Sequence, residues 1–243
     1  MSAHTSPNLV SDGIVFSLDA GDPKSYAGSG TTWSDRSLDD NDVTLLNGPT
    51  WNSAGYFEFD GVDDYARPTI DHSYLNNSAM EIAFNSNSHS TRRFLFGYRH
   101  NNGYSWPTIG AMYINDSKIL ASVITTTEVY RHVYTPTNIA TDEGYHVILN
   151  KNTVDGELEL YVNGVLVKTT TFDADTYAQW STVGNYIGNN QLDIAKSTNV
   201  ISGQGWGSDY FSGKIYRLAV YDHVLTQQEV LQNYNALKSR FIR

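Results

Sequence analysis

The sequence predicts an all-β fold closed by one short C-terminal helix, and three observations carry that prediction. Short segments of alternating apolar and polar residues recur along the chain and are bounded by turn-forming dipeptides. Seventeen Tyr and nineteen Gly residues, with abundant Asn, Asp, Ser and Thr, favour short strands joined by tight turns over long helices. The helical exception is residues 211–241, FSGKIYRLAVYDHVLTQQEVLQNYNALKSRF, which read as one strand, one turn and one capped helix.

Taken in order, GIVFSLDA at 13–20 is the first strand, with Ile14, Phe16 and Leu18 on one face and Val15 and Ser17 on the other. A long polar loop is expected over 21–42. YFEFDGVDDY at 56–65 sets Phe57 and Phe59 against Tyr56, Glu58 and Asp60, then turns at Asp60-Gly61. Short strands are expected at 81–84, 93–98, 108–114 and 118–125, with Asn115-Asp116 as a hairpin turn. The clearest β unit covers 145–150, 157–162 and 165–171. There Asp155-Gly156 and Asn163-Gly164 bracket an alternating strand, and Asn-Gly between alternating apolar residues is the strongest short hairpin signal. Residues 184–188 and a Gly-rich loop then lead into the last strand, in which Ile215, Leu218, Val220 and Tyr221 supply the β content.

Thr226 followed by Glu229 forms a capping box: the hydroxyl accepts the Glu229 amide proton and the carboxylate reaches back to the Thr226 amide. The helix is expected over about 226–240, with an apolar stripe at Val230, Leu231, Tyr234 and Leu237. Lys238 and Arg240 sit at its negative end.

The chain resembles the laminin-G-like, concanavalin A-like jelly-roll modules. Their last strand and helix read G-K-I followed by a Tyr and L-[ST]-x-x-E-[IV], matched here by Gly213, Lys214, Ile215, Tyr221, Leu225, Thr226, Glu229 and Val230. FEFDGVDDY at 57–65, GELELYVNGVLV at 156–167 and LVSDGIVFSLDA at 9–20 extend the likeness over nearly the whole chain. The resemblance implies a two-sheet β-sandwich. The expected organisation is a flexible arm at 1–8, ordered only in an assembly, and a single sandwich domain at 9–243.

A chain of 243 residues buries a sizeable core, and sandwiches of this length are routinely one domain. A formal charge of −10 and a pI near 5.0, with no basic cluster, disfavour nucleic acid and acidic membrane surfaces as partners. With no cysteine there is neither a disulfide nor a Cys-ligated metal site. MSAHTSPNLV lacks the basic flank and apolar run of a signal peptide, and no apolar run is long enough to span a bilayer, so a soluble protein is expected.

Four features could carry chemistry. Asp155, Glu157 and Glu159 alternate as the acidic row of a glucanase would, but Asp155 falls in a turn and the Asp-Glu-Glu order is wrong, so a solvated outer face is the better account. Asp60, Asp63 and Asp64, with Asp19 and Asp22 elsewhere, offer the hard oxygens that calcium takes in flexible loops, although Asp-Gly is also an ordinary turn former. The resemblance allows a calcium near a loop rim. The seven histidines show no metal spacing, and His146 is assigned a packing role. Aromatics in polar loops suit sugar stacking, which singles out Tyr104, Trp106, Trp206 and Tyr210 against their ordinary reading as core or subunit contacts. No nucleophile elbow or phosphate-binding loop occurs.

The expectation is a non-catalytic structural or adhesion module. YNALKSRF at 234–241 resembles laminin-G-like proteins encoded by bacteriophages, which implies a virion surface role in capsid decoration or a tail fibre, made in the host cytoplasm. Implied partners are other virion proteins or copies of itself, and host-cell glycans. A free-standing carbohydrate-binding lectin is the alternative reading, with glycoside hydrolase third.

Overall fold

The computed structural model describes residues 8–68, 77–90, 92–99, 108–124, 130–171, 191–194, 196–197 and 209–242. The strands, in chain order, are β1 (Ile14–Asp19), β2 (Thr32–Trp33), β3 (Val43–Leu46), β4 (Thr50–Asn52), β5 (Tyr56–Asp60) and β6 (Tyr65–Pro68). Then come β7 (Ser78–Ser86), β8 (Arg93–Arg99), β9 (Thr108–Asn115), β10 (Lys118–Ile124), β11 (Tyr130–Tyr134) and β12 (Gly144–Asn152). The last are β13 (Glu157–Val162), β14 (Val165–Thr171), β15 (Gln191–Ile194), β16 (Lys196–Ser197), β17 (Asp209–Tyr210) and β18 (Ser212–Tyr221), followed by α1 (Gln227–Phe241).

Among the described residues sixteen of these strands form two eight-stranded antiparallel sheets, and β16 pairs with β17 in a separate two-stranded one. The first runs β14-β13-β12-β7-β18-β5-β4, with β1 also paired to β18; the second runs β11-β10-β9-β8-β15-β6-β3-β2. Their facing sides bury Phe16, Leu18, Phe57, Phe59, Ile82, Phe84, Phe96, Met112, Val147, Leu160 and Leu218 in one continuous apolar core. The alternation read in 56–65 holds: Phe57 and Phe59 are wholly buried, while Glu58 and Asp60 are exposed.

Some expectations move. The loop expected over 21–42 contains β2, because Trp33 is fully buried against Phe57 with ring centroids 4.7 Å apart. An indole in the core draws its backbone into the second sheet beside Val43. The hairpin placed at Asn115-Asp116 turns one residue later, at Asp116 and Ser117, whose φ values of 49° and 59° are those of a left-handed pair. Asn163-Gly164 behaves as expected, with φ of 52° and 81° between β13 and β14. The segment at 184–188 lies outside the described residues.

The outer face of the first sheet is also covered. Along β7, Met80, Ile82 and Phe84 enter the inter-sheet core, while Ala79, Glu81 and Ala83 point outward into contact with α1 and the N-terminal segment. A register shift in β18 opposite β7, between Ile215 and Arg217, inserts an extra residue. That bulge sends both Tyr216 and Arg217 to the outer face, whereas Ile215 and Leu218 stay inside.

The helix is capped as the sequence predicts: Glu229 N–H donates to Thr226 Oγ1 at 3.3 Å, and the Thr226 N–H donates to Glu229 Oε2 at 2.8 Å. Its buried side differs. Val230, Asn233, Leu237 and Phe241 face the sheet, while Leu231 is 46% exposed and Tyr234 half-buried. Asn233 sets that rotation, because its amide receives the Val10 N–H at 2.8 Å and donates to the Tyr221 hydroxyl at 2.9 Å. Among the described residues no helix is long and apolar enough to cross a membrane.

Candidate functional site

At the end of β5 the chain turns sharply through Gly61, whose φ is 77°. Asp60 organises this turn: its Oδ1 accepts the Val62 N–H at 2.8 Å and the Asp63 N–H at 3.3 Å. Asp64 folds back so that its Oδ2 accepts the Asp60 N–H at 3.0 Å, and Asn47 Nδ2 donates to the Asp63 carbonyl at 2.9 Å. The result gathers three carboxylates, each offering an oxygen within 4.8 Å of the others; Asp60 and Asp63 are exposed and Asp64 is buried.

The surroundings divide these groups electrostatically. The backbone donors, led by Val62, hold the Asp60 carboxyl below its ordinary value. Burial pushes Asp64 up, and the neighbouring charges of Asp60 and Asp63 push it further in the same direction. Arg93 is the nearby cation, and its guanidinium is engaged: Nη1 donates to the Tyr210 carbonyl at 2.9 Å and Nη2 to Ser88 Oγ at 3.3 Å. Asp60 pairs with Ser212 in the β5–β18 ladder, which ties the acidic turn to the segment carrying Tyr210.

The donor chemistry of this turn fits a hard cation such as calcium, which takes carboxylate oxygens and completes its shell with water or ligand hydroxyls. Asp60, Asp63 and Asp64 are the residues that would hold it. Asp19 and Asp22 take no part. Asp19 grips Arg240 through both oxygens at 2.8 Å, and Asp22 receives the Lys24 N–H and pairs with Arg36 at 3.5 Å. Of the sugar-stacking candidates, Tyr210 is half-buried at the rim beside Arg93, whereas Tyr104, Trp106 and Trp206 lie outside the described residues.

Two members of the acidic row, Asp155 and Glu159, are held in local hydrogen bonds. Asp155 caps its own turn against Asn152 Nδ2 at 2.7 Å. Glu159 accepts from Asn150 Nδ2 at 3.1 Å and from the Tyr161 hydroxyl at 3.2 Å, and it helps burial hold that phenol up at about 12. This face is only partly solvated, because Tyr161 is 5% exposed beneath the N-terminal segment and helix.

His146 packs as expected, with its ring 6.4 Å from that of Phe241, but it also belongs to a buried network that sequence reading missed. Its Nε2 lies 2.6 Å from Glu81 Oε1, and Glu81 Oε2 receives Arg217 Nε at 3.4 Å and the Tyr221 hydroxyl at 3.1 Å. Burial opposes ionisation of Glu81, yet Arg217 and the His146 and Tyr221 contacts outweigh it and keep the carboxyl at about 2. Glu81 is completely sealed from solvent, so a substrate has no path to it.

Two facing antiparallel sheets around one apolar core make a β-sandwich. The chain belongs to the concanavalin A-like lectin/glucanases superfamily, whose model matches residues 60–231. Among curated proteins, none matches the sequence. Similar solved structures include the binding domain of botulinum neurotoxin DC in complex with SialylT, at 13% identity and a TM-score of 0.68, covering 93% of this chain and 52% of that one. The botulinum neurotoxin serotype D binding domain aligns at 14% identity with a TM-score of 0.66, covering 92% and 51% respectively. A botulinum neurotoxin type C structure, from a toxin whose cell entry is described as dependent on interaction with two ganglioside molecules, aligns at 12% identity and a TM-score of 0.66, covering 93% and 51%. The chain thus spans about half the length of these structures.

Proposed function

We propose that this chain is a non-catalytic carbohydrate-binding module that engages acidic glycans at its loop rim through a calcium held by Asp60, Asp63 and Asp64. The observation that carries this reading is the convergence of three carboxylates beside Tyr210, with Asp64 left under uncompensated negative charge that a divalent cation would relieve. The similar binding domains in complex with N-acetylneuraminic acid and with SialylT support the ligand class. Presentation on a virion surface is the accompanying proposal, and its support is the resemblance of 234–241 to phage-encoded modules. Tyr104, Trp106 and Trp206 are proposed as further stacking residues.

The test is binding of the purified chain to a panel of sialylated and neutral glycans, in calcium and again in chelator. Saturable binding to the acidic glycans that disappears in chelator is the expected result. Absence of binding to every glycan in calcium would overturn the carbohydrate reading, and binding unchanged by chelator would remove the three aspartates from it.

A further inference from the structure

The outward residues of β7 continue past the end of α1. Ala79, Glu81 and Ala83 lie under the helix and its N-terminal neighbours, but the next outward position, Asn85, opens into a cleft of about 660 Å³. Its walls come from five strands, the loop before β12 and the helix end: Asn52 and Tyr56 on one side, Asp142 and Glu143 on the other, Lys214 between them and Phe241 closing it. The volume is that of a small-molecule site.

Asn85 is 9% exposed, and its Oδ1 is buried without a hydrogen-bond partner. A buried acceptor left unsatisfied is costly, and turning the side-chain amide toward a donor in the cleft removes that cost. The backbone holds the residue firmly in place: Gly213, with φ of 142°, lets β18 run so close that a Cβ there would collide with the Asn85 carbonyl oxygen. Lys214 stands opposite Asn85 in the ladder, and its Nζ lies 5.0 Å from the centroid of the Tyr56 ring. Tyr56 is itself tilted against Tyr216 at 5.5 Å.

The charges decide what fits. Arg240 is neutralised by its two-pronged pairing with Asp19, which leaves the Lys214 ammonium against the Asp142 and Glu143 carboxylates, one negative charge in excess. Asn85 Oδ1 and the carboxylates call for donors, while Lys214 calls for an acceptor. A sugar ring meets both demands with the same hydroxyls, and the excess negative charge disfavours a ring that carries a carboxylate.

We infer that this outer-face cleft is a saccharide site for a neutral pyranose, held by Asn85 and Lys214 without calcium. It is separate from the rim proposed above, which calls for an acidic glycan and a cation, so either can fail while the other stands.

The experiment is a titration of the isotope-labelled chain with methyl glucoside, galactose, N-acetylglucosamine and glucuronate, followed by amide NMR in chelator. At least one neutral sugar is expected to shift the Asn85 side-chain amide and the backbone amides of residues 143, 144 and 214, with glucuronate weaker. Lys214→Ala, a half-buried side chain whose loss leaves the core intact, is expected to weaken that binding about tenfold, the effect of losing a charge-assisted hydrogen bond. Asn85→Ala is expected to weaken it without loss of thermal stability, since it deletes an unsatisfied acceptor. No perturbation at these amides by any neutral sugar, or shifts that persist unchanged in Lys214→Ala, would overturn the assignment.

Discussion

Glu81 and the Asp60–Asp64 turn place the same chemical group in opposite surroundings. Glu81 is fully buried and answered on every side, by His146, Arg217 and Tyr221, and its carboxyl is held at about 2. The turn gathers three carboxylates around backbone donors alone, and Asp64 is pushed up by burial and by its two neighbours. Charge that is paired inside a fold specifies packing, whereas charge that is gathered and left unanswered at a rim is available to an outside cation. The first region belongs to the architecture, and the second is the one proposed for binding.

Breaking the buried region should have the largest effect. Glu81→Ala leaves Arg217 buried without its main counter-charge and is expected to cost about 3–5 kcal/mol, measured by urea unfolding. A cost below 1 kcal/mol would show the network to be dispensable.

Acid probes the same carboxyl without mutation. Its folded-state value of about 2 lies below the ordinary 4.5, so its contribution to stability is complete above 4.5 and is lost as pH falls from there toward 2. Urea midpoints measured across that range should fall for the wild type, and more shallowly for Glu81→Gln.

Asn233 tests how the helix is seated. Its replacement by Ala orphans the Val10 N–H and removes the donor to Tyr221, with an expected loss of about 1–3 kcal/mol. Thr226→Ala removes the cap alone and should cost about 1 kcal/mol, visible as a lower helix signal near the C-terminus in hydrogen exchange.

Legibility in the sequence followed the distance over which each feature is built. The capping box spans four residues and the Asn163-Gly164 hairpin two, so both were readable from composition and spacing, as was the alternation of Phe57 and Phe59. Asn233 was not readable as a core position, since a polar residue earns burial only from partners that are themselves remote, here Val10 in the N-terminal segment and Tyr221 on β18. The Glu81 network joins β7, β12 and β18, and no local pattern announces it. The bulge that turns both Tyr216 and Arg217 outward breaks the alternation from which strand faces are read. At the rim, the DGVDD turn was legible as an acidic cluster because its three aspartates lie within five residues. The cleft at Asn85 was not, because it is assembled from five strands and the helix end.

The most direct test of the contrast between these regions is thermal unfolding with and without millimolar calcium, on the wild type and on Asp63→Asn. The account predicts that calcium raises the Tm of the wild type and not of the variant, while the two chains melt alike in chelator, because Asp63 is exposed and its carboxylate organises no core contact. An unchanged wild-type Tm in saturating calcium would contradict the assignment of the rim to cation-dependent binding.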